Sequence, residues 1–297
     1  MHPGVLSAAL AYVLWGLFPL YFKLLEQISP MDVLLHRVVW SLLFLVVVLT
    51  FRRQWAWLRE AFRRPRLLAA FAVSALLLSA NWLTYIWAVT HGHVIDASLG
   101  YFITPLVNVL LGCFVLHERL RRLQWTAVAF AAAGVLWLAI QGGQLPWIAL
   151  LLAVSFGGYG LMRKTAALGA LEGLAMETML LAPPAVVLLG IAALRGTSSF
   201  PAESTLVNVL LVGIGPVTAI PLLLFANGAR QIRLSTLGVL QYLSPSIQFV
   251  LGVWLFHEPF SAVRTVGFGL IWLALLIYSL EGWWRGSDAA ASVFEPD

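Results

Sequence analysis

PLVNVLLGCFVLHE, residues 105–118, returns as PSIQFVLGVWLFHE, residues 245–258. Four of the identities, all at an offset of 140, set the register: Pro105 with Pro245, Gly112 with Gly252, His117 with His257 and Glu118 with Glu258. Both strings are almost wholly apolar between the proline and the histidine, which marks each as a helix that ends in a membrane interface. The register extends outward. Ser98-Leu99-Gly100 faces Thr236-Leu237-Gly238, Gly16 and Lys23 face Gly157 and Lys164 at 141, and Asp32 and Arg37 face Glu172 and Glu177 at 140. An offset that stays between 138 and 141 over so many positions is the mark of an internal duplication.

Composition fixes the solvent. The 297 residues are 61% hydrophobic and only 10% charged. A soluble domain carries about 25% charge, so a soluble enzyme is excluded. A disordered chain needs the opposite balance and is excluded too. Ten apolar stretches follow, near Gly4–Leu25, Met31–Phe51, Leu67–Thr90, Val94–Leu116, Leu123–Ile140, Pro146–Met162, Leu171–Leu194, Thr205–Gly228, Ile232–Phe256 and Val263–Leu280. Most have the length a bilayer requires, and none alternates as a barrel strand would. The first is read as a retained helix, not a cleaved leader, because it lacks a basic start.

The fold expected is an all-α polytopic membrane protein. Its ten transmembrane helices form two five-helix repeats, residues 4–140 and 146–280, followed by a disordered cytoplasmic tail at 286–297. Five is odd, so the second repeat enters the bilayer inverted, an arrangement found in many secondary transporters. The basic residues supply the orientation. Arg52, Arg53, Arg59, Arg63, Arg64, Arg66, Arg119, Arg121, Arg122, Arg163, Lys164, Arg230, Arg233 and Arg285 fall on one side of a ten-helix trace. Lys23, Arg195 and Arg264 fall on the other. The positive-inside rule then puts both termini in the cytoplasm of an inner-membrane protein.

The run Ala97-Ser98-Leu99-Gly100, Pro105-Leu106, Gly112 and Glu118-Arg119-Leu120, with Gly134 in the next helix, resembles the EamA domain of the drug/metabolite transporter superfamily. More narrowly, five strings resemble the RarD branch: His36-Arg37-Val38-Val39-Trp40-Ser41, Asn81-Trp82, Ile86-Trp87-Ala88-Val89, Gly158-Tyr159-Gly160-Leu161 and Arg233-Leu234-Ser235-Thr236-Leu237-Gly238. The resemblance covers about Gly4 to Leu280 and implies a ten-helix permease of the inner membrane, of the kind described as chloramphenicol-sensitivity or resistance permeases. Family repeats often carry Gly before the closing Glu; here His117 and His257 stand there.

Ionisable residues inside a span are costly and mark function by default. Three stand well inside: His36 and Arg37 in the second stretch and Glu177 in the seventh. Arg37 is a candidate anchor for an anionic or polar substrate group, or for a structural carboxylate. Glu177 is a candidate proton or cation site, and His36 suits either role. The competing reading is a structural Arg37–Glu177 contact, or snorkelling toward an interface. Asn81, Trp82, Tyr101, Asn108, Gln241, Tyr242 and Gln248 supply further candidate cavity groups, since polar and aromatic side chains together suit an amphipathic ligand. Pro105 and Pro245 are candidate hinges, because proline frees a carbonyl and bends a helix.

Other patterns carry less. Cys113 has no partner for a disulfide, and no zinc spacing is present. His91-x-His93-x2-Asp96 lacks a fourth ligand, so no metal is assigned. No Walker A run exists to bind ATP, and no cofactor is implied. The basic 52–66 segment is a topology determinant and not a nucleic-acid patch. The expected partners are a small-molecule substrate, protons as a candidate coupling ion, and the lipid bilayer. Two alternatives to a permease stand. A membrane enzyme acting on a lipid or isoprenoid would need a carboxylate cluster that the sequence lacks, and a non-transporting scaffold would have a solid centre.

Overall fold

The computed structural model describes residues 3–115, 121–141, 143–165, 167–202, 204–229, 231 and 240–291. Every regular element among them is helical. In chain order they are α1 (Pro3–Gly16), α2 (Phe18–Lys23), α3 (Pro30–Phe51), α4 (Ala56–Phe62), α5 (Pro65–Thr90), α6 (Val94–Val115) and α7 (Arg122–Gln141). Then follow α8 (Trp147–Thr165), α9 (Ala170–Leu194), α10 (Thr205–Ala229), α11 (Leu243–Val250) with a single π turn at Leu251–Leu255, and α12 (Ala262–Ala291).

Eight stretches are long and apolar enough to cross a bilayer, the first formed by α1 and α2 together. Two shorter apolar helices, Trp147–Arg163 and Leu243–Leu255, stand where the sixth and ninth spans were expected. Part of the ninth, residues 232–239, lies outside the described residues, as do His117 and Glu118. The last helix runs on to Ala291, past Gly286, where the sequence suggests that a tail begins. The basic 52–66 segment is not plain loop: Ala56–Phe62 forms a short helix in it.

Proline at the first position starts α3 and α5, where a missing N–H costs nothing. Glu172 caps α9 from its third position by accepting the Gly169 N–H at 2.8 Å. The large apolar side chains left exposed, such as Leu43, Leu76, Phe114, Leu136, Val187, Val209 and Trp254, occur on most of the long helices. This is the pattern of helices whose outer faces meet lipid. Small residues allow close approach inside. A Cβ on Gly100 would meet the Ala149 carbonyl oxygen at 2.8 Å, and one on Gly134 the Gly267 carbonyl oxygen at 2.9 Å. Glycine at such points is how membrane helices gain contact without a hydrophobic driving force.

Many of the helix pairings come in exchanged sets. α6 lies on α8 and α11 lies on α1; α5 lies on α8 and α10 lies on α1; α3 lies on α10 and α9 lies on α5. Three further pairs, α3 with α9, α6 with α11 and α7 with α12, join elements at equal places in the two halves. The glycine contacts follow the same crossing. A Cβ on Gly16 would meet Ile247, and one on Gly157 would meet Val107, each at 2.8 Å. Gly16 and Gly157 are repeat mates, and so are Val107 and Ile247.

Candidate functional site

Two turns into α3, Arg37 points into the bundle and is only 4% exposed. Its guanidinium carbon stands 3.9 Å from the Trp82 ring centroid, 5.7 Å from Phe22 and 5.9 Å from Phe18. Cation–π attraction to three rings offsets part of the cost of burying the charge. The Tyr85 ring lies 5.9 Å from Phe22 and 5.8 Å from Tyr101, which continues the aromatic lining. Arg37 Nε and the Tyr85 hydroxyl are both buried without a hydrogen-bond partner.

Asn81 ties the floor of this site together. Its Nδ2 donates to the Leu152 carbonyl and to Ser155 Oγ, both at 3.1 Å, while Tyr101 donates to its Oδ1 at 3.2 Å. One amide thus joins α5, α6 and α8. Tyr101 continues an aromatic run, with ring centroids 5.8 Å from Tyr85 and 5.9 Å from Phe156, which lies 5.9 Å from Tyr159. Tyr101 and Tyr159 are both half-buried.

Tyr159 leads to the second site. Glu177 on α9 is fully buried. It accepts Ser74 Oγ at 2.5 Å and the Tyr159 hydroxyl at 3.5 Å, and Arg163 Nη1 stands 3.8 Å away. Arg163 also lies 5.7 Å from the Phe71 ring and donates to the Gly169 carbonyl at 2.9 Å. A cavity of about 220 Å³ opens beside this group, lined by Arg66, Phe71, Ser74 and Met162. Ser74 therefore links the cavity to the carboxylate. Ser74 and Trp82 are two helical turns apart on α5, so the two sites are stacked about 12 Å apart along that helix at about 1.5 Å per residue.

Arg37 and Glu177 do not meet, so the structural contact weighed from the sequence is not formed. They repeat one arrangement with different chemistry. Arg37 lies against Phe18 and Phe22; Glu177 lies against Tyr159 and Arg163. Tyr159 and Arg163 are the repeat mates of Phe18 and Phe22, in the same register that relates Gly157 to Gly16. Arg163, one of the topology charges in the sequence reading, is instead a partly buried partner of Glu177. That register was the signal that could have placed it.

The remaining candidates scatter. His36 turns away from Arg37 to the Phe200 ring, 5.5 Å between centroids, and its Nε2 has no partner. Gln248 is buried and donates to the Trp15 carbonyl at 3.2 Å and to Ser244 Oγ at 3.1 Å. Asn108 is exposed, with its Oδ1 beside Gly157. Gln241 is half-buried in the turn before α11. Tyr242 lines an apolar groove of about 380 Å³ with Phe102, Phe249 and Trp272, away from both charged sites. Pro105 sits inside the unbroken α6, whereas Pro245 sits in the first turn of α11, so the two proposed hinges differ locally.

Glu258 was read from sequence only as a helix-ending mark. It accepts the backbone N–H of Val94 at 2.6 Å and of Ile95 at 2.9 Å, and so caps α6 from the second half. His257 before it has φ of 53°. Only glycine takes that region without cost, which explains a glycine there in other repeats. On the same face Asp96 bonds His93 at 3.1 Å and Arg264 at 3.3 Å.

The sequence pattern of the EamA-like transporter family matches residues 2–140 and, a second time, residues 146–280. The chain belongs to the EamA-like transporter family. Its relatives agree along their length. An uncharacterized transporter of Pseudomonas aeruginosa is 48% identical over 95% of each chain. Protein RarD of Escherichia coli is 45% identical over 94% of each. A solved crystal structure superposes with a TM-score of 0.59 at 21% identity, covering 93% of this chain and 96% of the other, and it speaks for the fold alone. Membership in the EamA-like family, together with eight bilayer-length stretches, makes this a membrane transporter protein.

Proposed function

We propose that the chain is a secondary permease of the cytoplasmic membrane that exports a small metabolite or amphipathic drug by alternating access. Both termini are cytoplasmic in this reading. Two inverted five-helix repeats, residues 4–140 and 146–280, form the two sides of the transport path in this reading. The observation that carries it is the crossed packing: Gly16 against Ile247 and Gly157 against Val107. Two halves that make each other's contacts can exchange conformations, and that exchange turns an outward-open state into an inward-open one. Such a cycle needs no chemical step, which argues against an enzyme.

Glu177 is the coupling site in this scheme, since it is buried, hydrogen-bonded and one side chain removed from a cavity. Asn108, Gln241, Tyr242 and Gln248 act in packing or at the periphery of the transport path, and Pro105 and Pro245 are the bending points. The name of one relative, the chloramphenicol-sensitive protein RarD of Pseudomonas aeruginosa, 36% identical over 94% of this chain and 93% of that protein, brings chloramphenicol into the panel of solutes to be tried.

The test is flux in proteoliposomes across a metabolite and drug panel, with and without a pH gradient. Saturable flux that a pH gradient accelerates, and a Glu177→Gln variant that keeps flux but loses the acceleration, are expected. Gradient-driven flux unchanged in that variant removes Glu177 from coupling. Tags at both termini found outside spheroplasts would reverse the orientation.

A further inference from the structure

Every carboxylate whose side chain is described has a partner other than Arg37. Glu26 pairs with Lys23 and Glu60 with Arg64. Asp32 accepts Ser199, Asp96 bonds His93 and Arg264, and Glu172 caps its own helix. Glu177 accepts Ser74, and Glu258 accepts two backbone N–H groups. Arg37 is thus a buried guanidinium with no anionic partner among the described residues. Its rings hold it from the side and leave its donors unspent, for a cation–π contact uses the charge and not the N–H groups.

A buried charge without a counter-ion is costly, and an anion that enters beside it removes that cost. The planar fork of a guanidinium fits a carboxylate with two parallel hydrogen bonds. The Tyr85 hydroxyl is buried and unpartnered, and its ring stands 5.9 Å from that of Phe22, the ring 5.7 Å from the guanidinium, so it offers a further donor on the same side of the bundle. Beyond it the Tyr85–Tyr101–Phe156 run offers an apolar wall. Among the described residues no carboxylate at this site meets a positive group: Glu177 is held by Ser74 and Arg163 about 12 Å along α5.

From this juxtaposition, and resting on the permease reading above, we infer that Arg37, Tyr85 and the adjoining rings form a binding site for a small organic monoanion, a carboxylate on an apolar body. A neutral solute leaves the guanidinium without a counter-charge, and a zwitterion brings an ammonium that no described carboxylate meets.

Binding to the purified full-length protein in detergent is measured by tryptophan fluorescence, with Trp82 beside Arg37 as reporter. The probes are benzoate, octanoate and indole-3-acetate, with benzamide and phenylalanine as neutral and zwitterionic counterparts of benzoate. Saturable binding of at least one carboxylate is expected, at least tenfold tighter than benzamide and phenylalanine where benzoate is the probe. Arg37→Gln weakens it at least tenfold, Arg37→Lys by less, and Tyr85→Phe severalfold. Failure of all three carboxylates to bind, equal binding of benzamide and benzoate, or wild-type affinity in Arg37→Gln overturns the inference. If Arg37→Gln does not fold, Tyr85→Phe and the benzoate-to-benzamide ratio of the unaltered protein decide. These are equilibrium readings, so the anion site can fail while flux of a neutral solute still upholds the permease, and the reverse.

Discussion

Arg37 and Glu177, which hold equal places in the two repeats, each lie buried against two positions of a helix in their own half, and those positions are themselves repeat mates. Around Arg37 they are Phe18 and Phe22; around Glu177 they are Tyr159 and Arg163. One geometry thus carries an unpaired cation in the first half and a paired anion in the second. The difference matters to what each can do. Arg37 has donors to give, whereas Glu177 is engaged by Ser74, Tyr159 and Arg163. The consequences can be measured.

Removing the cation beside Glu177 strands a buried carboxylate. Arg163→Leu is expected to lower stability by about 3 kcal/mol, the usual cost of breaking a buried pair. Glu177→Gln placed in the same chain should recover part of that loss, because the amide still accepts from Ser74. Thermal unfolding of the two single variants and the double variant in detergent gives the coupling. Strict additivity would mean that the 3.8 Å approach carries no energy.

Glu258 joins the second half to the start of α6. Glu258→Ala leaves the Val94 and Ile95 N–H groups without their acceptor and should cost about 1–2 kcal/mol, as the loss of a helix cap does. Glu258→Gln keeps one acceptor oxygen and should cost less. The melting temperatures of both variants check this, and equal losses would count against the cap.

His257 pays for a left-handed backbone. His257→Gly should raise stability by about 0.5–1 kcal/mol, since it removes a left-handed penalty of about 1–2 kcal/mol and adds part of that back as chain entropy. His257→Ala keeps the penalty and should give no gain. A melting-temperature series of the three proteins separates the backbone effect from any loss of the imidazole.

Helix approach at α7 and α12 depends on Gly134. Gly134→Leu drives a side chain into the Gly267 carbonyl and Ile271, each 2.9 Å from the new Cβ, and should cost about 1–3 kcal/mol. Gly190→Leu on α9 meets nothing within 4 Å and should change stability by less than about 0.5 kcal/mol. Unfolding of the pair side by side is the check; similar losses would point to helix propensity and not to packing.

Solvent, helical class and family are all legible in the amino-acid string. Those follow from the length and apolarity of each segment and from the spacing of Pro105, Gly112, Pro245 and Gly252, which are local properties of the chain. It also singled out Arg37 and Glu177, because a charge inside an apolar run is visible without coordinates. Tertiary structure decided what each charge faces. Helical phase allows a side chain to meet any of several neighbours, so only the packing could show that His36 turns to Phe200, that Arg163 belongs to Glu177 and not to a loop, and that Glu258 caps a helix from the opposite half of the chain. Pairing across such distances depends on how helices dock, and docking is set by the small residues of both partners at once.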